Sequence, residues 1–265
     1  MSKKRGNLGI RGQVTIWIIV AIILVAVIVL LFALRVPQRL FLPSTPNAQL
    51  GDCIDDKLND AVNVISAKGG SANPVNALMY QGEKIEYLCY TNQYYQTCAN
   101  QQPLLKQHIE REILEYINDD AVKCVQNLKQ DLIKKGYSVS EGKTDINVNI
   151  LPNNVKVIVS GFSAVSEEQG VRYSNFEASR KSELYDFVML TNSILNWEAR
   201  YGDSDITTYM FYYPNMKLEK YKQGDGSKMY ILTDRQSKDK FAFATRSLSW
   251  PAGYGYGQTF NPVGV

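Results

Sequence analysis

The sequence predicts an α+β chain in which one N-terminal transmembrane helix precedes an extracytoplasmic domain of antiparallel sheet packed with helices. Three observations predict it. Residues 14–34 read VTIWIIVAIILVAVIVLLFAL with no charge, the pattern of a membrane helix. Stretches at 52–67, 103–135 and 182–201 repeat apolar residues at intervals of three and four, as half-buried helices do. Several stretches after residue 145 alternate apolar and polar residues, as strands with one buried face do.

Residues 1–12 are expected as a cytoplasmic tail or leader and residues 13–34 as the transmembrane helix. Twenty-one residues at a helical rise of ~1.5 Å span roughly 31 Å, about the hydrocarbon thickness of a bilayer. Lys3, Lys4, Arg5 and Arg11 precede the run, Arg35 and Arg39 follow it, and no acidic residue occurs before Asp52. With the free amino terminus added, the inner side is the more cationic, which predicts a single-pass protein of the cell membrane with its N-terminus in the cytoplasm. A cleaved secretory signal has a shorter apolar region, ~7–15 residues, and no small-x-small site precedes Arg35. An uncleaved anchor, or one trimmed on its cytoplasmic side, is expected.

Arg11-Gly12-Gln13-Val14-Thr15 sets a basic residue, a glycine and a glutamine directly against the apolar run. This resembles the class III signal of archaeal type IV pilin-like, membrane-anchored surface proteins. In that family a membrane peptidase cuts after the glycine and leaves the apolar helix whole. The resemblance implies cleavage between Gly12 and Gln13, with Gln13 as the new N-terminus. Trp17 stands at the fifth position after the cut, where the family usually carries glutamate. The resemblance covers about the first 34 residues only, and the ectodomain matches no pattern of its own.

Residues 35–51, with Pro37, Pro43 and Pro46, read as a semi-stiff stalk, since proline fixes φ and removes a backbone donor. Residues 52–136 are expected as a helix-rich lobe, residues 137–246 as an α+β lobe, and residues 247–265 as a glycine and aromatic tail, either a free end or a sticky segment that docks on a partner. All 26 acidic residues lie beyond the anchor, while six of the 29 basic ones precede or flank it, leaving 23 − 26 = −3 outside. The pI near 8.5 thus reflects the anchor's flanks. No Lys/Arg cluster interleaved with aromatics follows, so nucleic acid is not an expected partner.

All four cysteines, Cys53, Cys89, Cys98 and Cys124, lie beyond the anchor. An even count in an exported domain predicts two disulfides with three possible connectivities. The preferred pairing is Cys89 with Cys98, closing the loop YTNQYYQT, and Cys53 with Cys124, tying two helices; four buried free thiols are the competing reading. The C-x8-C spacing does not fit a structural zinc site.

In the first lobe, Ile54, Leu58, Ala61, Val62 and Ile65 share one face of a helix over 52–67, ended by Gly69-Gly70. Strands at 78–80 and 85–90 form a hairpin around Gln81-Gly82. Of the tyrosines at 80, 87, 90, 94 and 95, Tyr94 and Tyr95 in the cystine loop are the candidate binding surface, because tyrosine joins apolar area to a hydroxyl. A helical stretch over 103–135 is expected to be broken and recapped at Asn118-Asp119-Asp120.

In the second lobe, Ile146, Val148 and Ile150 pair across the Pro152-Asn153-Asn154 turn with Val155, Val157 and Val159. A third strand is expected at 171–176 after a loop at 163–170, then a helix over 182–201 capped by Ser182. Strands follow at 216–222, 228–233 and 240–246.

Catalytic signals are sparse. His108, the only histidine, sits in the polar stretch KQHIER and reads as a solvated helix position. Gly161-Phe162-Ser163-Ala164-Val165 lacks the second glycine of a nucleophile elbow. Asp203-Ser204-Asp205 begins like a calcium loop, but Thr208 and Pro214 replace its glycine and glutamate. Gly224-Asp225-Gly226 reads as a hairpin turn, and the acid pairs Asp55-Asp56 and Asp119-Asp120 as residues near helix starts. No N-x-S/T sequon occurs. No cofactor, metal or catalytic residue is assigned. The expected role is a surface component that works by contact, with the lipid bilayer and a protein or cell-envelope partner, or by self-assembly as a pilin-like subunit. An envelope-associated enzyme or ligand-binding ectodomain is the alternative.

Overall fold

The computed structural model describes residues 11–33, 45–140, 142–166 and 170–249. The expected leader up to residue 10, the stalk over 35–44 and the tail from residue 250 lie outside the described residues. Two units are present, one up to Ser44 and one from Thr45 onward.

The described residues of the first unit form one helix, α1 (Arg11–Ala33). Its side chains are described for residues 17–27 and 29, and all of these are apolar and exposed. That stretch is shorter than the ~20 residues a crossing needs, so among the described residues no helix is long and apolar enough to cross a membrane.

The second unit is α+β. It opens with α2 (Pro46–Ala67), six residues before the expected start at 52, in what reads as stalk. Thr45 takes an extended conformation and its Oγ1 accepts a hydrogen bond from the Ala48 N–H at 3.3 Å. Pro46 then falls at the first helical position, where its missing N–H costs nothing. A proline read as a stiffener is here a helix start.

Next come β1 (Ala77–Tyr80), β2 (Glu83–Tyr90) and the short β3 (Ala99–Asn100). Gln81 and Gly82 both have positive φ, as a two-residue hairpin turn of this hand requires. The next helix, α3 (Leu105–Lys134), runs 30 residues without the expected break. Its buried stripe, Ile113, Ile117, Ala121, Cys124, Val125, Leu128 and Leu132, keeps its phase through Asn118-Asp119-Asp120, which lie on the other face. Asp55-Asp56 and Asp119-Asp120 consequently sit in helix interiors rather than near helix starts. One member of each pair meets cations there: Asp55 with Arg180 at 3.0 Å, and Asp120 with Lys57 and Lys123 at 3.9 and 3.6 Å.

Short strands follow: β4 (Ser138–Ser140), β5 (Asp145–Leu151), β6 (Asn154–Ser160), β7 (Ser163–Ser166), β8 (Val171–Tyr173) and β9 (Phe176–Lys181). The expected loop at 163–170 thus holds a strand, and the expected strand at 171–176 is divided between two sheets. The buried positions of β7 are Ala164 and Ser166, too small to give an alternating apolar signal. Then come α4 (Leu184–Tyr201), α5 (Ile206–Tyr212), β10 (Met216–Lys222), β11 (Ser227–Asp234) and β12 (Lys240–Arg246).

Two three-stranded sheets, β4-β7-β8 and β5-β6-β9, are antiparallel. The largest sheet is mixed rather than purely antiparallel: its order is β1-β2-β12-β11-β10, with β3 on β2, and β12 runs parallel to β2. Strands from both expected lobes therefore share one sheet. Helices α2 and α4 contact strands of this sheet and of β5-β6-β9, and one core runs through them, from Leu50 and Ile54 to Phe187, Tyr230, Phe241 and Phe243.

Two disulfides cross-link the unit. Cys53–Cys124 joins α2 to α3 over a sequence separation of 71, and Cys89–Cys98 closes a loop of separation 9. Such cross-links form and persist in oxidising, extracytoplasmic compartments.

Candidate functional site

The sequence assigns no element between the end of α4 and β10, yet this stretch builds one wall of a groove. Asp203-Ser204-Asp205 is not a calcium loop start: Asp205 caps α5, its Oδ1 accepting from the Thr207 N–H at 2.9 Å and its Oδ2 from the Thr208 hydroxyl at 2.8 Å. These bonds hold the Asp205 carboxyl below its ordinary value. Tyr209 packs against the core, and its hydroxyl meets Ser193 Oγ on α4 at 2.7 Å. That contact sets the spacing of the two helices.

Between them lies a groove of about 770 Å³, within the ~300–1,000 Å³ range of small-molecule sites. Trp197 of α4 forms one wall, half exposed, and Tyr212 and Tyr213 line it from the end of α5. Ser193, Ser204 and Thr208 add hydroxyls and Asp205 a carboxylate. Ser204 is buried, and among the described residues its Oγ has no hydrogen-bond partner. Among the described residues no lysine, arginine or histidine lines the groove. The described lining has aromatic faces, hydroxyls and one anion, which suits binding of a small molecule.

Beneath the groove, a buried charge cluster fixes the end of α4 to the sheet. Glu198, wholly buried, accepts from Lys228 Nζ at 2.9 and 2.7 Å and from the Tyr230 hydroxyl. Burial raises the Glu198 carboxyl, although Lys228 opposes the rise, and burial together with the Glu198 charge pushes the Tyr230 hydroxyl well above 10. Gly202 ends α4 at φ 76°, where its carbonyl accepts from Lys228. A Cβ there would meet the Ser249 side chain, and the positive φ favours glycine. Burial alone would raise the Asp203 carboxyl, but Lys228, Lys220 and Lys222 hold it far below its ordinary value. Lys220 also donates to the Ser204 carbonyl at 2.6 Å.

The cystine loop carries the residues singled out by sequence. Tyr94 and Tyr95 are 60% and 74% exposed, and Tyr95 holds φ 62°, an uncommon conformation for a bulky residue. The other three tyrosines are at least partly buried: the Tyr87 hydroxyl meets Ser227 Oγ at 2.9 Å, and the Tyr87 and Tyr90 rings pack at 5.1 Å. The cystine loop is tied to the end of α4 through Ser247, whose Oγ accepts from the Cys98 N–H at 3.0 Å and donates to the Glu198 carbonyl at 3.3 Å.

His108 is not solvated. It is buried on α3, with Nε2 at 2.8 Å from Ser71 Oγ and Nδ1 at 3.0 Å from Arg111 Nη2. Arginine only donates, so Nδ1 accepts and Nε2 carries the proton. The Ser71 hydroxyl in turn donates to Glu86 Oε2 at 2.5 Å. The proton of this serine points to a carboxylate and not to the imidazole, the reverse of a nucleophilic dyad. Ser71, His108 and Glu86 are distant in sequence, and only their meeting could reveal the cluster. Ser163 forms a short contact with Ser140 instead of an elbow, and Gly224-Asp225-Gly226 turns between β10 and β11 as expected. Among the described residues no group of three or more His, Cys, Asp or Glu side chains is placed to hold a metal ion. Gly12 and Gln13 lie in the backbone of α1.

No family model matches the chain, and neither the curated proteins nor the solved structures yield a match.

Proposed function

We propose that this chain is a single-pass surface protein, held in the cell membrane by residues 13–34 with its N-terminus in the cytoplasm, whose domain from Thr45 onward works by contact outside. The observation that carries the reading is α1, whose described side chains are all apolar and all exposed. Water does not tolerate such a surface, whereas lipid or a bundle of like helices does. The two disulfides support an oxidising location for the domain. The Arg11-Gly12-Gln13 signal supports a pilin-like subunit, with cleavage between Gly12 and Gln13. Mass spectrometry of the native N-terminus together with electron microscopy for filaments tests this branch. A mature chain starting at Gln13 and present in filaments is expected; an intact Met1 with no filaments overturns it.

A ligand-binding ectodomain is the second reading, favoured by the α4–α5 groove. An enzyme has less support, because the one buried Ser–His contact runs its proton the wrong way for attack.

A further inference from the structure

We propose that the groove between α4 and α5 binds a neutral oligosaccharide. The proposal rests on the ligand-binding reading above and does not depend on the anchor. Four features of the lining select this class. The Trp197 indole and the Tyr212 and Tyr213 rings offer flat apolar faces, and a pyranose ring has matching apolar C–H faces. Around them stand hydroxyls, of Ser193, Ser204, Thr208 and Tyr209, which both donate and accept and so can match a polyol.

The third feature is charge. Among the described residues Asp205 is the only charged side chain in the lining, so phosphorylated, sulfated or uronic ligands meet a carboxylate there and no lining cation. Each of its oxygens accepts one internal bond, which leaves further lone pairs for ligand hydroxyls. The fourth is Ser204. A buried hydroxyl without a partner is costly, and a ligand hydroxyl would supply the missing bond once the Ser204 side chain turns into the groove it lines. The lining is also preorganised. Trp197 precedes Glu198, which is clamped by Lys228 and Tyr230, and α5 is pinned through Tyr209 to Ser193. A fixed wall loses little freedom on binding.

Aromatic grooves also take apolar peptide segments, and that class is an arm of the test. Purified full-length protein in a detergent without a sugar headgroup is titrated with neutral di- to tetrasaccharides of hexoses and N-acetylhexosamines, with their uronic counterparts, and with aromatic-rich peptides. Binding is read by calorimetry. The expected result is saturable binding of at least one neutral saccharide, weaker or no binding of its uronic counterpart, and a loss of about tenfold or more in W197A, as for a central contact residue. W197F, which keeps a ring, loses less. S204A melts no lower than the wild type, since no bond is removed from the free protein, yet binds the saccharide about fivefold more weakly. Peptide binding without saccharide binding overturns the saccharide assignment and leaves a ligand site. No binding in any arm overturns both, and saccharide binding unchanged in W197A with an unchanged melting temperature places it elsewhere and also overturns the proposal.

Discussion

Lys228 on β11 donates to both carboxylate oxygens of Glu198 on α4, at 2.9 and 2.7 Å, where Glu198 has no exposure to solvent. The pair joins the helix that bears Trp197 to the central sheet. Removing Lys228 leaves the buried Glu198 carboxylate without its cation, so K228M is expected to cost about 3–5 kcal/mol. The double variant E198L/K228M is expected to cost less than K228M, because the buried carboxylate is then gone as well. Urea unfolding of the wild type and both variants measures this; a K228M loss below ~1 kcal/mol contradicts a buried, tightly paired carboxylate.

Asp203 gives the same region an acid limit. Its three lysine partners hold its folded-state value far below the ordinary 3.8, so on acidification the unfolded chain takes up the proton first. The stabilisation is complete above the ordinary value and is lost as pH falls through the depressed one. Glu198 has the opposite sign: burial raises its folded-state value above 4.5, so its contribution is fullest below that and declines as pH rises through the raised value. Asp203 is partly exposed, and solvent screening keeps its share modest. Thermal melts between pH 2 and 6 are expected to show a steeper acid decline for the wild type than for D203N. Identical slopes contradict the lysine-bound carboxylate.

The two disulfides are expected to stabilise unequally. A bridge acts largely by restricting the unfolded chain, and in that model a closed loop of separation 71 is worth about 4 kcal/mol against about 2.5 kcal/mol for separation 9. C53A/C124A should therefore lower the melting temperature more than C89A/C98A. The second variant should instead release the cystine loop, with faster amide exchange across residues 90–97; unchanged exchange there contradicts a loop held by its bridge.

Ser71 and His108 form a structural contact. S71A leaves both His108 Nε2 and Glu86 Oε2 short of a partner in a buried site, and a loss of about 1–3 kcal/mol is expected. Because the Ser71 proton is held by Glu86, fluorophosphonate probes that label activated serines should leave Ser71 unmodified. Labelling at Ser71 would show that the proton can pass to His108 after all.

Local pattern made the helices and the hairpins legible. Gln81-Gly82, the alternation of β5 and β6 and the ends of β10–β12 all follow from neighbouring residues. What stayed hidden depends on distant ones. The parallel pairing of Ala244 and Arg246 with Tyr87 and Tyr90 joins strands more than 150 residues apart. Lys228 in a strand and Glu198 in a helix each read as surface charges until the fold desolvates them together. The groove had a faint local signal in TTYMFYYP after the capping Asp205, but seven helical residues are too few for periodicity to show. His108 looked polar by its neighbours, while the helix turns it toward Ser71.

We propose that the apolar run near the N-terminus holds this chain in lipid while its cysteine-bearing domain lies outside the cytoplasm. Mass spectrometry of the protein from carbonate-washed native membranes, alkylated before any reduction, tests it most directly. Recovery in the washed membranes is expected, with the Cys53–Cys124 and Cys89–Cys98 peptides linked and no cysteine alkylated. Recovery in the soluble fraction with all four cysteines alkylated would contradict it.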